Sequence, residues 1–292
     1  MKLGLFVPLV GPSTAPEFVA CLGAEAEGHG FDSLWVAEHV VLFDDYASRY
    51  PYAADGRIPA GGESGFLDPM GALCFLAGQT SRMRLGSGIC LVPQRNPVYT
   101  AKEVATADLL SAGRIDFGVG VGWLAEEFRA VAAPFERRGA RTRAYLEVMR
   151  RLWCDEVSEY KDEFYELPAC RQYPKPVQSP HPPIHFGGES EAALRRVADI
   201  GQGWYGFNLD PAELAERSGR LEELLSERGR SRGDVQVSVS PYLKGCDEDK
   251  LRGYAEVGAD QVILTAFAGD VDGLRRTLDE LAGTLLRVGR SL

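Results

Sequence analysis

No stretch of this 292-residue chain approaches the roughly 18 consecutive apolar residues that a membrane-spanning helix needs. Basic charge is also short. Against 42 Asp and Glu stand only 32 Lys and Arg, a net charge of −10, so a general phosphate-backbone surface is excluded and nucleic acid is not an expected partner. Histidine is scarce, with four residues, and the six cysteines (Cys21, Cys74, Cys90, Cys154, Cys170, Cys246) lie far apart, with no CxxC and no histidine at ligand spacing. That pattern argues against a zinc site and against a disulfide framework, and leaves reduced, mostly buried thiols. Linkers, low-complexity tracts and charge blocks are absent too. The N-terminal MKLGLFVPLVGPS turns directly into a helix start and reads as a first core strand, not as a cleaved signal. What remains is a cytoplasmic protein with a small-molecule partner.

What is present is alternation. Short β-type runs at Lys2 to Val7, Ser33 to Ala37, Arg84 to Leu91, Arg114 to Val119, Pro183 to Phe186, Gly203 to Phe207, Val235 to Ser240 and Asp260 to Thr265 are separated by helical patterns throughout. The helices carry start and stop signals: Thr14 with Glu17 as a capping box, Asn96 with Pro97 opening a helix that ends at Gly113, and Ser190 opening one that stops at Gly201. On Arg141 to Trp153, the stripe Tyr145, Val148, Met149, Leu152 and Trp153 reads as core packing. Eight β runs close a barrel, and the expected fold is a single (β/α)8 domain over residues 1–292, in preference to an open doubly wound sheet. Two segments break the rhythm, residues 42–66 after strand two and 155–182 before strand five. Loops of that length are expected as lids or binding loops.

In a barrel of this kind, chemistry gathers at the C-terminal ends of the strands. Strand two ends in Glu38 and His39, strand three in Ser87, Gly88, Ile89 and Cys90, and strand five in Gly187 and Gly188. Imidazole titrates near neutrality and can donate or accept at a reacting centre, so His39 is the candidate catalytic group. Glu38 serves either as a base or as the group that orients His39, and the second role is preferred. His185 lies inside strand five and reads as barrel lining.

Strand four runs into FGVGVGWLAEEF, residues 117–128, with glycines at every second position. The spacing does not fit a dinucleotide fingerprint, which needs GxGxxG and an acid about 20 residues on. Close strand-to-helix packing is one reading. A turn whose backbone N–H groups hold a phosphate at a helix start is the other, and Gly187-Gly188 before Ser190 forms a second such turn on the adjacent strand.

A set of stretches carries a resemblance: LWVAEH at 34–39, DYASRYPYAADGR at 45–57, LGSGICLVPQRNP at 85–97, GRIDFGVGVGWLAEEF at 113–128, FERRGAR at 135–141 and YPKPVQSPHPPIHFGGESEAALRRVADIGQGWY at 173–205. In order and spacing these resemble the luciferase-like monooxygenase superfamily, most closely its compact branch of coenzyme F420-dependent oxidoreductases. The likeness runs to about residue 240. It implies a barrel that binds F420, or alternatively FMN, at the strand ends, with a non-proline cis peptide at Gly88–Ile89. Ligand contacts carry over to His39, Gly88, Ile89, Cys90, the turn of Gly120, Val121, Gly122 and Trp123, and Gly187, Gly188 and Ser190. Tyr46, Arg49, Tyr50 and Tyr52 of the 42–66 loop are then expected to close over substrate.

The function implied is hydride transfer between F420 and a small organic substrate, with His39 donating to ring or substrate and Glu38 setting its tautomer. The alternatives are a two-component FMN monooxygenase, which needs a flavin reductase as partner, or a flavin-binding barrel without catalysis. A homodimer is left open. Two departures from the family pattern stand out. Arg143-Ala144 replaces a common Asp-Glu, and Trp123 occupies the place where the sugar-phosphate dehydrogenases of the superfamily carry an acid, which disfavours that activity.

Overall fold

Along the first strand, β1 (Lys2–Phe6), alternate residues part company. Leu3 and Leu5 bury themselves against the surrounding helices, while a Cβ on Gly4 would meet the side chains of Ser33 and Gln261 inside the barrel. This period of two repeats around the molecule, and because both faces are covered nearly every strand residue is buried. The computed structural model describes residues 1–292.

The remaining barrel strands are β2 (Ser33–Val36), β3 (Arg84–Ser87), β4 (Ile115–Gly120), β5 (Ile184–Gly187), β6 (Gly203–Phe207), β7 (Gln236–Ser240) and β8 (Gln261–Thr265). Each pairs in parallel with its successor, and β8 pairs with β1, closing an eight-stranded barrel. After β3 the chain bulges and resumes pairing with β4 at Cys90–Leu91. Helices α1 (Pro16–His29), α2 (Pro69–Gln79), α3 (Pro97–Leu110), α4 (Ala125–Ala130), α5 (Arg138–Cys154), α6 (Glu191–Ile200), α7 (Pro211–Ser226), α8 (Glu248–Glu256) and α9 (Val271–Leu281) return the chain outside it.

Helix starts follow the sequence signals with one exception. The Asn96 side chain accepts from the N–H groups of Val98 and Tyr99 at 3.0 and 3.2 Å, and Ser190 accepts from Ala193 N at 3.2 Å. Thr14, expected as a cap for α1, instead donates to Gly11 O in a short 3-10 turn, and α1 begins at Pro16 with no side-chain cap. Pro16 already fixes the first helical φ and removes one of the N–H groups that a helix start leaves unpaired. On α5, Val148, Met149, Leu152 and Trp153 are buried in the core as expected, and Trp153 Nε1 donates to Ala101 O at 2.9 Å.

The barrel interior is layered. At the entry end, Gln261, Ser238, Gln236 and Ser33 bond one another, and Asp116 lies between Arg84 (Nε, 2.8 Å) and His185 (Nε2, 3.4 Å). Above them Trp35 fills the middle, stacked on Tyr205 with ring centroids 5.1 Å apart. His185 is thus interior lining. The upper layer opens into a cavity at the C-terminal ends of the strands.

The two long segments lie on opposite faces. Residues 42–66 cover the cavity. Residues 155–182, also expected as a lid or binding loop, instead carry an antiparallel hairpin (Ser158–Lys161 with Glu166–Cys170) and reach the entry end of β4, where Gln178 Nε2 donates to Ile115 O at 2.7 Å. The reason is geometric. Strands run toward the cavity and helices run back, so a segment that follows a helix emerges on the far side.

Candidate active site

The cavity above Trp35 encloses about 570 Å³ and is lined from nearly every strand end. The Gly88–Ile89 peptide is cis, and both residues line the floor. Ile89 projects over β4 and β5: a Cβ on Gly120 would stand 1.7 Å from Ile89 Cδ1, and one on Gly187 would stand 3.1 Å from it. Gly120 therefore lies beneath Ile89, not on the cavity wall. Cys90 is also displaced from its expected place. It is fully buried in the core, and burial beside Glu38 pushes its thiol pKa well up.

His39 lines the cavity, held edge-on between Phe66 and Trp123 at centroid distances of 5.4 and 5.9 Å. Its Nδ1 lies 3.2 Å from Glu127 Oε1. A carboxylate only accepts, so Nδ1 carries the proton and Nε2, bonded to no protein group, is left toward the cavity. In the neutral ring Nε2 accepts; it donates only when the ring is protonated, with Glu127 as counter-charge. Burial raises the Glu127 pKa, but hydrogen bonds from His39, from Gln94 Nε2 at 3.1 Å and from Val40 N at 2.7 Å outweigh it and hold the pKa below the ordinary value.

Glu38 does not orient His39. Its carboxylate accepts from Leu91 N and from Arg95 Nε at 2.7 Å, tying the end of β2 to the segment after β3. Burial raises the Glu38 pKa, opposed by Arg95. Arg95 also engages Asp68 and Glu103, so this is a structural ion cluster.

The 42–66 loop divides its expected residues. Tyr50 and Tyr52 line the cavity. Tyr46 packs on Trp123 and under the Arg57 guanidinium, accepting from Ile58 N at 2.9 Å, and Arg49 curls back to Ala54 O. Neither Tyr46 nor Arg49 reaches the cavity. Two acids fasten this loop. Glu126 accepts from Ala47 N at 2.9 Å and Ser48 Oγ at 2.7 Å, while Glu189 accepts from Tyr52 Oη at 3.0 Å and from Phe207 N at 2.8 Å. Burial lifts the Glu189 pKa to about 6 against those two hydrogen bonds. Sequence reasoning passed over Glu126, Glu127 and Glu189. For the first two, adjacent acids at the start of a helix were the available signal.

The remaining expected residues, Val121, Gly122, Trp123, Gly187, Gly188 and Ser190, line one side of the cavity. At Gly122 φ is +75° and a Cβ would meet Phe128 at 2.8 Å, so the position suits glycine alone. The N–H groups of Gly122 and Gly188 donate to no acceptor within the chain. Behind the turn, Arg138 Nε donates to Gly122 O at 3.0 Å and Arg196 Nε is buried without a partner. Burial lowers the pKa of both, further lowered in Arg196 by Arg143 and Arg138, and neither faces an acid. Free N–H groups and unpaired guanidiniums fit a phosphate. The buried Tyr205 hydroxyl, also unpartnered, lies on the floor beside Gly88.

The sequence profile of the luciferase-like monooxygenase family matches residues 1–250. The chain belongs to this family. Among its relatives, an uncharacterised protein of Mycobacterium tuberculosis is 32% identical over 263 residues, spanning 89% of this chain and 91% of its own. The FMNH(2)-dependent dimethylsulfone monooxygenase of Pseudomonas putida is 27% identical over 183 residues, 60% of this chain and 50% of that one. In fold, the family member is similar to the monooxygenase RslO1 of Streptomyces bottropensis (TM-score 0.79, 21% identity, 98% and 99% coverage). It is also similar to the coenzyme F420-dependent tetrahydromethanopterin reductase of Methanopyrus kandleri (TM-score 0.76, 18% identity, 98% of both chains). Compact length therefore accompanies both chemistries and does not separate them. No helix is long and apolar enough to cross a membrane.

Proposed function

We propose that the chain is an oxidoreductase that moves a hydride between coenzyme F420 and a small organic substrate. The observation that carries this reading is the convergence on one cavity of His39 Nε2, the Gly88–Ile89 bulge and the two glycine turns at Gly122 and Gly188. When bound, the deazaflavin supplies hydride exchange at a ring carbon. Val121 to Trp123 and Gly187, Gly188 and Ser190, with Arg138 and Arg196 behind, would hold its phosphate, while the Glu189 side chain turns away to Tyr52 and Phe207. Ile89 would support the ring system. His39 accepts or returns a proton at Nε2, with Glu127 stabilising the charged ring. The 42–66 loop excludes water.

An FMN-dependent monooxygenase supplied by a flavin reductase is the second reading, favoured by the likeness to the dimethylsulfone enzyme. Both use the same cradle. The test is equilibrium titration of the purified protein with F420 and, separately, with FMN, followed by absorbance. Micromolar binding of F420 with much weaker binding of FMN supports the first reading. The reverse order supports the second, and binding of neither removes the oxidoreductase.

A further inference from the structure

No Lys or Arg lines the cavity, although it is built from nearly every strand end. The wall that starts at the Gly188 turn and continues over β6 and the strand ends after it is aromatic. Tyr52 meets Phe207 at a centroid distance of 5.0 Å, Phe207 meets Tyr242 at 4.4 Å, Phe6 meets Phe207 at 5.5 Å, and Tyr242 meets Phe267 at 6.3 Å. Into this wall is set one carboxyl, Glu189, with no cation in contact. Its partners are the neutral donors Tyr52 Oη and Phe207 N, one on each oxygen, which leaves each oxygen a free lone pair. Glu38 and Glu127 are different in kind, because Arg95 and His39 answer them.

A half-buried carboxylate whose only counter-charge, Arg217, acts from beyond contact distance is unfavourable. Aromatic rings can hold a cation over their faces, while an anion placed here would meet a like charge and no cation on the cavity wall. We infer that Glu189 and the aromatic wall form a substrate subsite for an organic ammonium group on an apolar body, and that this subsite rejects carboxylates and phosphates. The inference names the substrate class of the oxidoreductase reading and rests on that reading for the subsite's use in turnover.

The pH response has one source at this end of the cavity. The titratable groups around Glu189 are Tyr52, which donates to it, and Tyr50 from the loop, with Tyr205 of β6 beyond Tyr52 and Arg217 of α7 acting through space. Burial raises all three tyrosines, so they stay neutral. His39 is held by Glu127 and Trp123 and does not touch Glu189. Protonation of Glu189 near pH 6 removes the negative charge, so cation binding weakens as pH falls through that value.

The test is calorimetric titration of the cofactor-free protein with benzylamine, benzyl alcohol and benzoate. At pH 7.5 benzylamine should bind about tenfold or more tighter than benzoate, with the alcohol between. In Glu189→Gln that ratio should collapse toward one. Should the variant fail to fold, the wild-type ratio still has to shrink between pH 7.5 and 5, where benzylamine remains protonated. Benzoate binding as tightly as benzylamine, or a ratio unchanged in Glu189→Gln or across that pH range, overturns the inference. Cofactor binding with no amine preference defeats this inference alone, while amine preference without cofactor binding supports it and defeats only the oxidoreductase reading.

Discussion

His39 Nδ1 and Glu127 Oε1 lie 3.2 Å apart although 88 residues separate them in the chain. The contact fixes which imidazole nitrogen looks into the cavity. Glu127→Ala releases the ring and leaves its two tautomers in competition. Turnover should fall by roughly 10²-fold, a typical loss for a general acid–base group out of position, with cofactor affinity nearly unchanged. Steady-state kinetics and the imidazole nitrogen shifts of His39 check both halves; wild-type turnover with a randomised tautomer would separate the contact from the chemistry.

Gly122→Val places a branched side chain at φ +75° and against Phe128. Cofactor affinity should drop at least about tenfold, because the backbone can no longer receive the phosphate closely. The melting transition should stay cooperative but move down, by an amount matching roughly 1–2 kcal/mol of left-handed strain. Titration and a thermal melt on the same sample read the two effects.

Tyr52→Phe deletes the hydroxyl that joins the loop to Glu189. A lost hydrogen bond to the ionised form raises a carboxyl pKa, so the pH midpoint for benzylamine binding should move upward from about 6. Limited proteolysis within 42–66 should quicken, while global stability changes by only about 0.5–1.5 kcal/mol. An unmoved midpoint would mean that the hydroxyl is silent.

Asp116 governs acid stability from the other end of the barrel. Burial raises its pKa, but His185 and Arg84 outweigh this and hold it at about 2, below the ordinary 3.8. A depressed pKa stabilises the fold above the unfolded value, and that contribution is lost as pH falls from about 4 toward 2. Asp116→Asn should cost roughly 1–3 kcal/mol near neutrality, because Arg84 loses its charged partner but is partly exposed and keeps Ile115 O and Gln178 Oε1. It should also flatten the melting temperature between pH 4 and 2, measured by calorimetry.

The barrel was legible because its code is local: β runs, capping residues and glycine stops each act within a few positions. The strand ends pointed to residues that the fold brings to one cavity, His39, Gly88, Ile89 and Gly122 among them. Side-chain pairing was not legible. Glu38 and His39 are adjacent in sequence, yet extended backbone sends neighbouring side chains to opposite sides. Glu38 therefore went to Arg95, and His39 to a helix nearly ninety positions later. Cys90 lies beyond the bulge, where the register change turns it into the core. Tyr46 and Arg49 were named for their size and polarity, but within a loop such groups also satisfy the loop itself.

Glu126 and Glu127 are consecutive, and on a helix consecutive side chains diverge by about 100°. One holds the covering loop and the other the histidine, and the same short helix grows out of the glycine turn. Substitutions in the loop beyond Ser48 can redesign what is admitted without disturbing this junction. A one-residue insertion between Trp123 and Glu127 would misdirect both attachments together. Related barrels can thus diverge widely in what they accept while this turn keeps its length.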